Sequence, residues 1–232
     1  MHSLDTLCRG DHTSIRTRKF PCISFCAFLK LNLGNNFSKF FSLELPKVPE
    51  MDLAFVISAT SSSAIVNFAK IKDTVREVIE LYGVQKVHYS VILFGRDPTV
   101  RIPFTQKYSE SALKATIAAL PRPTDGSSLH SALGSARGVF SVGGRPDAKK
   151  VVVVVLDAES ESNIEDVKNA AGVLEDDGIK VIVVAFGDQT DLDQTSAATV
   201  NKDNIVRANG TDVPKDIAEE ITAKIAKGES LN

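Results

Sequence analysis

The run Val151-Val152-Val153-Val154-Val155-Leu156 leaves this chain few architectures. An unbroken β-branched stretch is a strand buried on both faces, since a strand with one wet face would alternate apolar with polar residues. Ile179 to Phe186 is a second run of the same kind. Between the two, Ile164, Val167, Ala171 and Leu174 recur at helical spacing, and Gly178 supplies the stop. Strand, crossover helix and strand make a βαβ unit, so the two strands are predicted parallel, joined by a right-handed crossover.

The same alternation runs through most of the chain. Asp52 to Ser58 reads as a first strand. Ile65, Phe68, Ile71, Val75, Val78 and Ile79 then mark one buried stripe of a helix capped by Ser62 or Ser63 and ended by Gly83. Val87 to Phe94 is a second strand, and Gly95-Arg96-Asp97-Pro98 turns into a short strand, Val100 to Phe104, read as an antiparallel hairpin edge. Tyr108 to Leu120 reads as a helix broken by Pro121-Arg122-Pro123. The loop Thr124-Asp125-Gly126-Ser127-Ser128 opens another, through Leu129, Leu133 and Ala136 towards Phe140. Asp188 to Val200 is predicted to hold a short helix and Asn204 to Arg207 an edge strand. Asp212 and Pro214 open a final helix with Ile217, Ile221 and Ile225 on one face. The fold class this implies is α/β: a doubly wound three-layer sandwich with a mostly parallel sheet, one antiparallel edge strand, and helices on both faces.

Residues 1–50 show no sustained period and end in Pro46-Lys47-Val48-Pro49-Glu50. They are expected to lie outside the fold as a leader or linker, with the domain at 51–228 and a short tail at 229–232. All three cysteines, Cys8, Cys22 and Cys26, fall in this leader, so the domain is expected to fold without a disulfide. Phe20 to Leu33 follows Arg16, Arg18 and Lys19 as a signal-peptide core would, but Lys30 interrupts it and no small-residue cleavage site is evident. Signal sequence and leader of no function both remain open. No stretch is long and apolar enough to span a membrane. A net charge of -2, evenly mixed, gives no nucleic-acid footprint.

The candidate site follows from where the strands end. Phe55-Val56-Ile57 stops at Ser58, Thr60, Ser61, Ser62 and Ser63, and ligands in open α/β sheets bind at the carboxyl ends of strands. Ser58, Thr60 and Ser62, then Ser127 from a loop opening a helix, then Asp157 after the valine strand, are hard oxygen donors suited to Mg²⁺, Mn²⁺ or Ca²⁺. The plainer account of the same residues is local: Ser58 and Thr60 bonding the backbone of a tight loop, Ser62 and Asp157 capping helices. Both stand at this point.

From about Asp52 to Ile225 the chain resembles a von Willebrand factor type A domain. The resemblance lies in Asp52-Leu53-Ala54-Phe55-Val56-Ile57 before the hydroxyl loop, Gly126-Ser127-Ser128-Leu129 with Ala132-Leu133, the strand from Val151 to Asp157, and Ile182-Val183-Val184-Ala185-Phe186-Gly187. The resemblance implies a metal-ion-dependent adhesion site written D-x-S-x-S on the first strand end, with a Thr before a later helix and an Asp after the fourth strand. Thr60 and Ser62 match the two Ser positions, Ser127 the Thr, and Asp157 the later Asp. Ser58 stands where the family has Asp, so one of two site carboxylates is missing. A Mg²⁺ or Mn²⁺ ion is expected to be held weakly or not at all, with Asp125 a conceivable substitute ligand.

The function this implies is non-enzymatic: a secreted, extracellular adhesion module that binds a protein partner of the matrix, collagen-like or other, through its strand-end loops. Asn209 and Asn36 head N-glycosylation sequons, which count only in a secreted chain. The alternative is an intracellular α/β protein with a small-ligand or catalytic role for Asp157. Enzymatic motifs are lacking: no phosphate-cradling glycine pattern follows a strand, Gly126-Ser127-Ser128-Leu129 is not a nucleophile elbow, and His88 and His130 read as structural or surface histidines. One copy from a tandem array is a further, structural, possibility.

Overall fold

Met51–Ser58 (β1) is buried at every residue and takes a parallel strand on each side. This computed structural model describes residues 48–58, 65–122, 126–187 and 190–227, and those from Val48 onward belong to one compact unit. Along them run α1 (Ile65–Tyr82), β2 (Val87–Phe94), β3 (Pro98–Ile102), α2 (Glu110–Ala118), α3 (Leu129–Gly143), β4 (Lys149–Leu156), α4 (Ile164–Asp176), β5 (Ile179–Phe186), α5 (Leu192–Ala197), β6 (Ile205–Ala208) and α6 (Pro214–Ala226). The six-stranded sheet has the order β3-β2-β1-β4-β5-β6, and only the β2/β3 pairing is antiparallel. The architecture is the one the sequence predicts, with helices on both faces of a mostly parallel sheet.

Strand pleating divides the core in two. Leu53, Phe55 and Ile57 of β1 join the cluster that holds Phe68, Ile71 and Val75 of α1 and Ile217, Ile221 and Ile225 of α6. Ala54 and Val56 enter the other cluster, with Leu129, Leu133 and Phe140 of α3 and Val167, Ala171 and Leu174 of α4. Register puts Phe55 between Val91 and Val153 at the middle of the sheet. Each fully buried aliphatic or aromatic side chain of this kind contributes about 1.5–3 kcal/mol relative to exposure.

Several local expectations are corrected. β3 spans Pro98–Ile102 rather than Val100 to Phe104, because Pro98 already pairs with Phe94 across a turn of three residues. A proline is tolerated at the first position of an edge strand, where no ladder donor is needed. The short helix α5 is confined to Leu192–Ala197, since the Asp191 carboxylate accepts from Asp193 N and Gln194 N and fixes its start. Asp212 does not open α6: Val213 holds the cap position, and the Asp212 carboxylate accepts from Asn209 N at 2.8 Å. Gly83 and Gly178 do end their helices, at φ of 66° and 73°, in the left-handed region that glycine enters without strain. The Ser62 or Ser63 cap of α1, residues 1–47 of the leader and the tail lie outside the described residues.

At the amino edge of the sheet, Asp52 is wholly buried and bound by one arginine. Arg145 donates its backbone N–H to Asp52 Oδ2 at 2.5 Å and its Nε–H to Oδ1 at 2.8 Å, while Nη2 donates to the Met51 and Lys86 carbonyls at 2.7 and 2.9 Å. The segment leading into β4 is thereby tied to β1 and to the residue just before β2. Burial and the Arg145 charge hold the His88 imidazole below its ordinary pKa. His88 is the second residue of β2, at the edge opposite the candidate site.

Candidate functional site

Parallel strands bring their carboxyl ends to one edge, where Ser58 and Asp157 lie and to which the loop of Ser127 is hydrogen-bonded. Ser58 ends β1, is fully buried, and pairs with Phe94, the last residue of β2. Ile57 pairs with Val155, so Asp157 follows β4 at the same edge at which Ser58 ends β1. Asp157 is 1% exposed and Ser127 3% exposed. Thr60, Ser62 and the substitute ligand Asp125 lie outside the described residues.

The loop carrying Ser127 is fixed from both sides. Ser128 N donates to Gly95 O at 2.8 Å, which holds the loop to the end of β2. Gly126 sits at φ +60°, and a Cβ there would stand 3.0 Å from Arg96 Cβ and 3.2 Å from Arg96 Cα. Glycine is required on both counts, for the left-handed backbone and for the close approach to the β2/β3 turn.

From the other side comes a hydrogen-bonded latch that the sequence analysis did not foresee. Ser160 Oγ donates to Ser127 O at 2.7 Å and accepts from Leu129 N at 3.1 Å, joining the loop after β4 to the start of α3. Glu161 N also donates to Ser127 O, at 2.8 Å. Gln194 of α5 then clasps the Ser160 backbone: Ser160 N donates to Gln194 Oε1 at 2.7 Å, and Gln194 Nε2 donates to Ser160 O at 2.6 Å. Ser162 Oγ accepts from His130 N at 3.2 Å, and its 3.0 Å contact with His130 Nδ1 gives that histidine a structural role. One carboxamide thus positions both the Asp157 loop and, through Ser160, the Ser127 loop. The local signal was a serine three residues beyond a strand-end carboxylate; its partner lies 34 residues away and leaves no mark at short range. Gln194→Leu is expected to destabilise the domain by about 2 kcal/mol, since it leaves a buried N–H and a buried carbonyl unsatisfied, as a urea melt would measure.

Ser58 is the described donor at the very end of β1. Its Oγ is buried and makes no hydrogen bond among the described residues. Hard divalent cations are held by oxygen shells with anionic members. Here the described donors at the edge are two serines and one carboxylate, and among the described residues no group of three or more His, Cys, Asp or Glu is arranged to hold a metal. The described donors alone do not make the shell of a tightly held divalent ion. Burying an unsatisfied hydroxyl costs about 1–3 kcal/mol.

Asn209 is exposed and lies in a turn whose Oδ1 accepts from Thr211 N at 2.8 Å. Asn36 lies outside the described residues. Among the described residues no helix is long and apolar enough to cross a membrane.

Comparison with known proteins agrees with the fold. The mouse collagen alpha-4(VI) chain is 25% identical over 154 residues, a match that covers 65% of this chain and 6% of the collagen chain. This chain therefore corresponds to a small part of that relative's length. Proximal thread matrix protein 1 of the mussel byssus, in a structure described as having a zinc-occupied MIDAS motif, shares the fold at a TM-score of 0.69 and 18% identity, covering 77% of this chain and 46% of that one. The manganese-loaded TRAP protein of Plasmodium vivax shares it at a TM-score of 0.63 and 15% identity, covering 76% and 72%. Domains of this type are typically non-enzymatic adhesion modules, common in matrix proteins. The von Willebrand factor type A domain model matches residues 52–218, and the chain belongs to that family.

Proposed function

We propose that this chain is a secreted, non-enzymatic module that binds a protein of the extracellular matrix through the loops at the carboxyl ends of its strands. The domain occupies residues 51–228, behind a leader at 1–50 and ahead of a tail at 229–232, and Asn209 is its glycosylated asparagine. Family membership and the matrix origin of collagen VI and of the mussel thread protein support the class of partner. The observation that carries the mode of binding is the buried Ser58 hydroxyl where the family has a carboxylate. A cation with Asp157 as its one described anionic ligand is held too weakly to bridge to a partner, so adhesion proceeds through the protein surface of the edge itself.

The test is solid-phase binding of the full chain to immobilised collagen VI and other matrix proteins, with and without EDTA. Binding unchanged by chelator is expected. Binding abolished by EDTA and restored by Mn²⁺ would overturn the metal-free mode, and a native protein found in the cytosol without glycan at Asn209 would overturn the extracellular assignment.

A further inference from the structure

The sequence contains a single Asn-Gly step, Asn209-Gly210, and the fold places it in an exposed turn just past β6 at the carboxyl edge of the sheet. Glycine matters here for a chemical reason. An asparagine carboxamide is open to attack at Cγ by the backbone nitrogen of the next residue, and glycine alone brings no Cβ to crowd that nitrogen.

The turn is hydrogen-bonded in a way that favours this attack. Asp212 N donates to Asn209 O at 3.2 Å and closes the turn. The acceptor is the carbonyl of the Asn209–Gly210 peptide, so the bond draws electron density from that peptide and makes its N–H more acidic. Gly210 N itself donates to nothing among the described residues, so no hydrogen bond has to break before it reacts. On the electrophile, Asn209 Oδ1 accepts from Thr211 N at 2.8 Å and from the Thr211 hydroxyl. Both donors are aimed at the oxygen on which negative charge develops as Cγ becomes tetrahedral, the arrangement of an oxyanion hole. Because Thr211 N lies one residue beyond Gly210, its bond to Oδ1 also folds the carboxamide back over the Gly210 peptide. The Asp177-Gly178 step shows the contrast. Gly178 N donates to Glu175 O at 2.9 Å, and the Arg137 guanidinium, 2.6 Å from the Asp177 carboxylate, holds that group below its ordinary pKa and so ionised, a poor electrophile.

We propose that Asn209 is a site of self-modification, at which Gly210 N closes on Cγ and converts the asparagine to aspartate or isoaspartate. The N–Cγ bond forms, the Cγ–Nδ2 bond breaks and ammonia leaves; the proton lost from Gly210 N balances the one that ammonia takes up. Water then opens the five-membered imide. Opening at Cγ restores the original backbone with an aspartate, and opening at the main-chain carbonyl leaves the backbone running through Cγ as isoaspartate. Nothing is oxidised or reduced. Either product adds a negative charge to the carboxyl edge, beside Asp212, whose Oδ2 accepts from Asn209 N at 2.8 Å. A glycan on Nδ2 would put a bulky sugar amine in the place of ammonia as leaving group, so the conversion belongs to copies without one. It does not depend on which partner the edge binds.

The test follows the full chain, produced without glycosylation, by mass spectrometry of its tryptic peptide 208–215 and by labelling with an isoaspartate-specific methyltransferase. Amide loss at Asn209 is expected to proceed at least as fast in the native chain as in the chain unfolded in urea, and to quicken with rising pH, because the nucleophile is the deprotonated nitrogen. Gly210→Ala should slow it at least about tenfold. That variant folds, since a Cβ there meets only Asn67 Oδ1, at an ordinary 3.7 Å. Thr211→Val, which keeps the N–H and removes the hydroxyl, should slow the native chain and leave the unfolded one unchanged. Conversion slower in the native chain than in urea, a Gly210→Ala variant that converts as fast as the parent, or a Thr211→Val effect that is absent or equal in both states would each overturn the proposal.

Discussion

Replacing Arg145 by alanine is expected to destabilise the domain by about 3–5 kcal/mol, a large fraction of the stability of an ordinary domain. Asp52 is 0% exposed, and the arginine side chain is 26% exposed, so the pair is sheltered on the carboxylate side. The loss has two parts. Asp52 keeps the backbone N–H of residue 145 but loses the guanidinium, which leaves a buried charge with one donor. The Met51 and Lys86 carbonyls lose the shared Nη2 donor, and with it the tie between β1, the start of β2 and the approach to β4. Arg145→Lys is expected to recover only part of the loss, because a point-charge ammonium does not reproduce a fork that serves a carboxylate and two carbonyls together. Urea denaturation of the three proteins measures the order; an Arg145→Ala variant within about 1 kcal/mol of the parent, the range of an exposed pair, would show that the bridge is dispensable.

The second large effect is expected at the opposite edge. Ser58→Asp places a carboxylate at a fully buried strand end, beside a site that already holds Asp157. In chelator the variant is expected to lose about 3 kcal/mol, since a buried charge is costly and a second carboxylate nearby repels it. Mn²⁺ should reverse the loss, because a ligand that binds only the folded state stabilises it by about 2.7 kcal/mol at a hundred times its Kd. The parent chain, short of that carboxylate, should show little response to the same ion. A variant that melts at one temperature with and without Mn²⁺ would mean that residue 58 does not face the other donors.

The sheet was legible because its strands announce themselves. Val151 to Leu156 and Ile179 to Phe186 are too apolar and too β-branched for another use, and the helical stripe between them fixes both parallel pairing and order. Gly83 and Gly178 were legible for an equally local reason, the left-handed turn that ends a helix. Ser58 and Asp157 were placed at one edge by the same logic, since carboxyl ends of neighbouring parallel strands must converge.

What escaped the sequence is held together over distance. Asp52 was read only as the opening of a family-like strand, and nothing near it points to Arg145, 93 residues on. Gln194 lies in a short polar helix, and its clasp on Ser160 exists only once β4 and β5 have stacked their loops side by side. The boundaries of β3 and the role of Asp212 were misplaced because proline at an edge-strand start and a carboxylate bonding backward to Asn209 depend on pairing, not on propensity.

The account turns on residue 58, a serine where the family's site is written with a carboxylate. Isothermal titration of Mn²⁺ into the full chain and into its Ser58→Asp variant addresses it most directly. The predicted result is that the variant binds at least about tenfold more tightly than the parent, as an added carboxylate at a hard-cation shell requires. A parent that binds Mn²⁺ as tightly as the variant would contradict it, and metal-bridged adhesion would then replace the metal-free mode as the function of the edge.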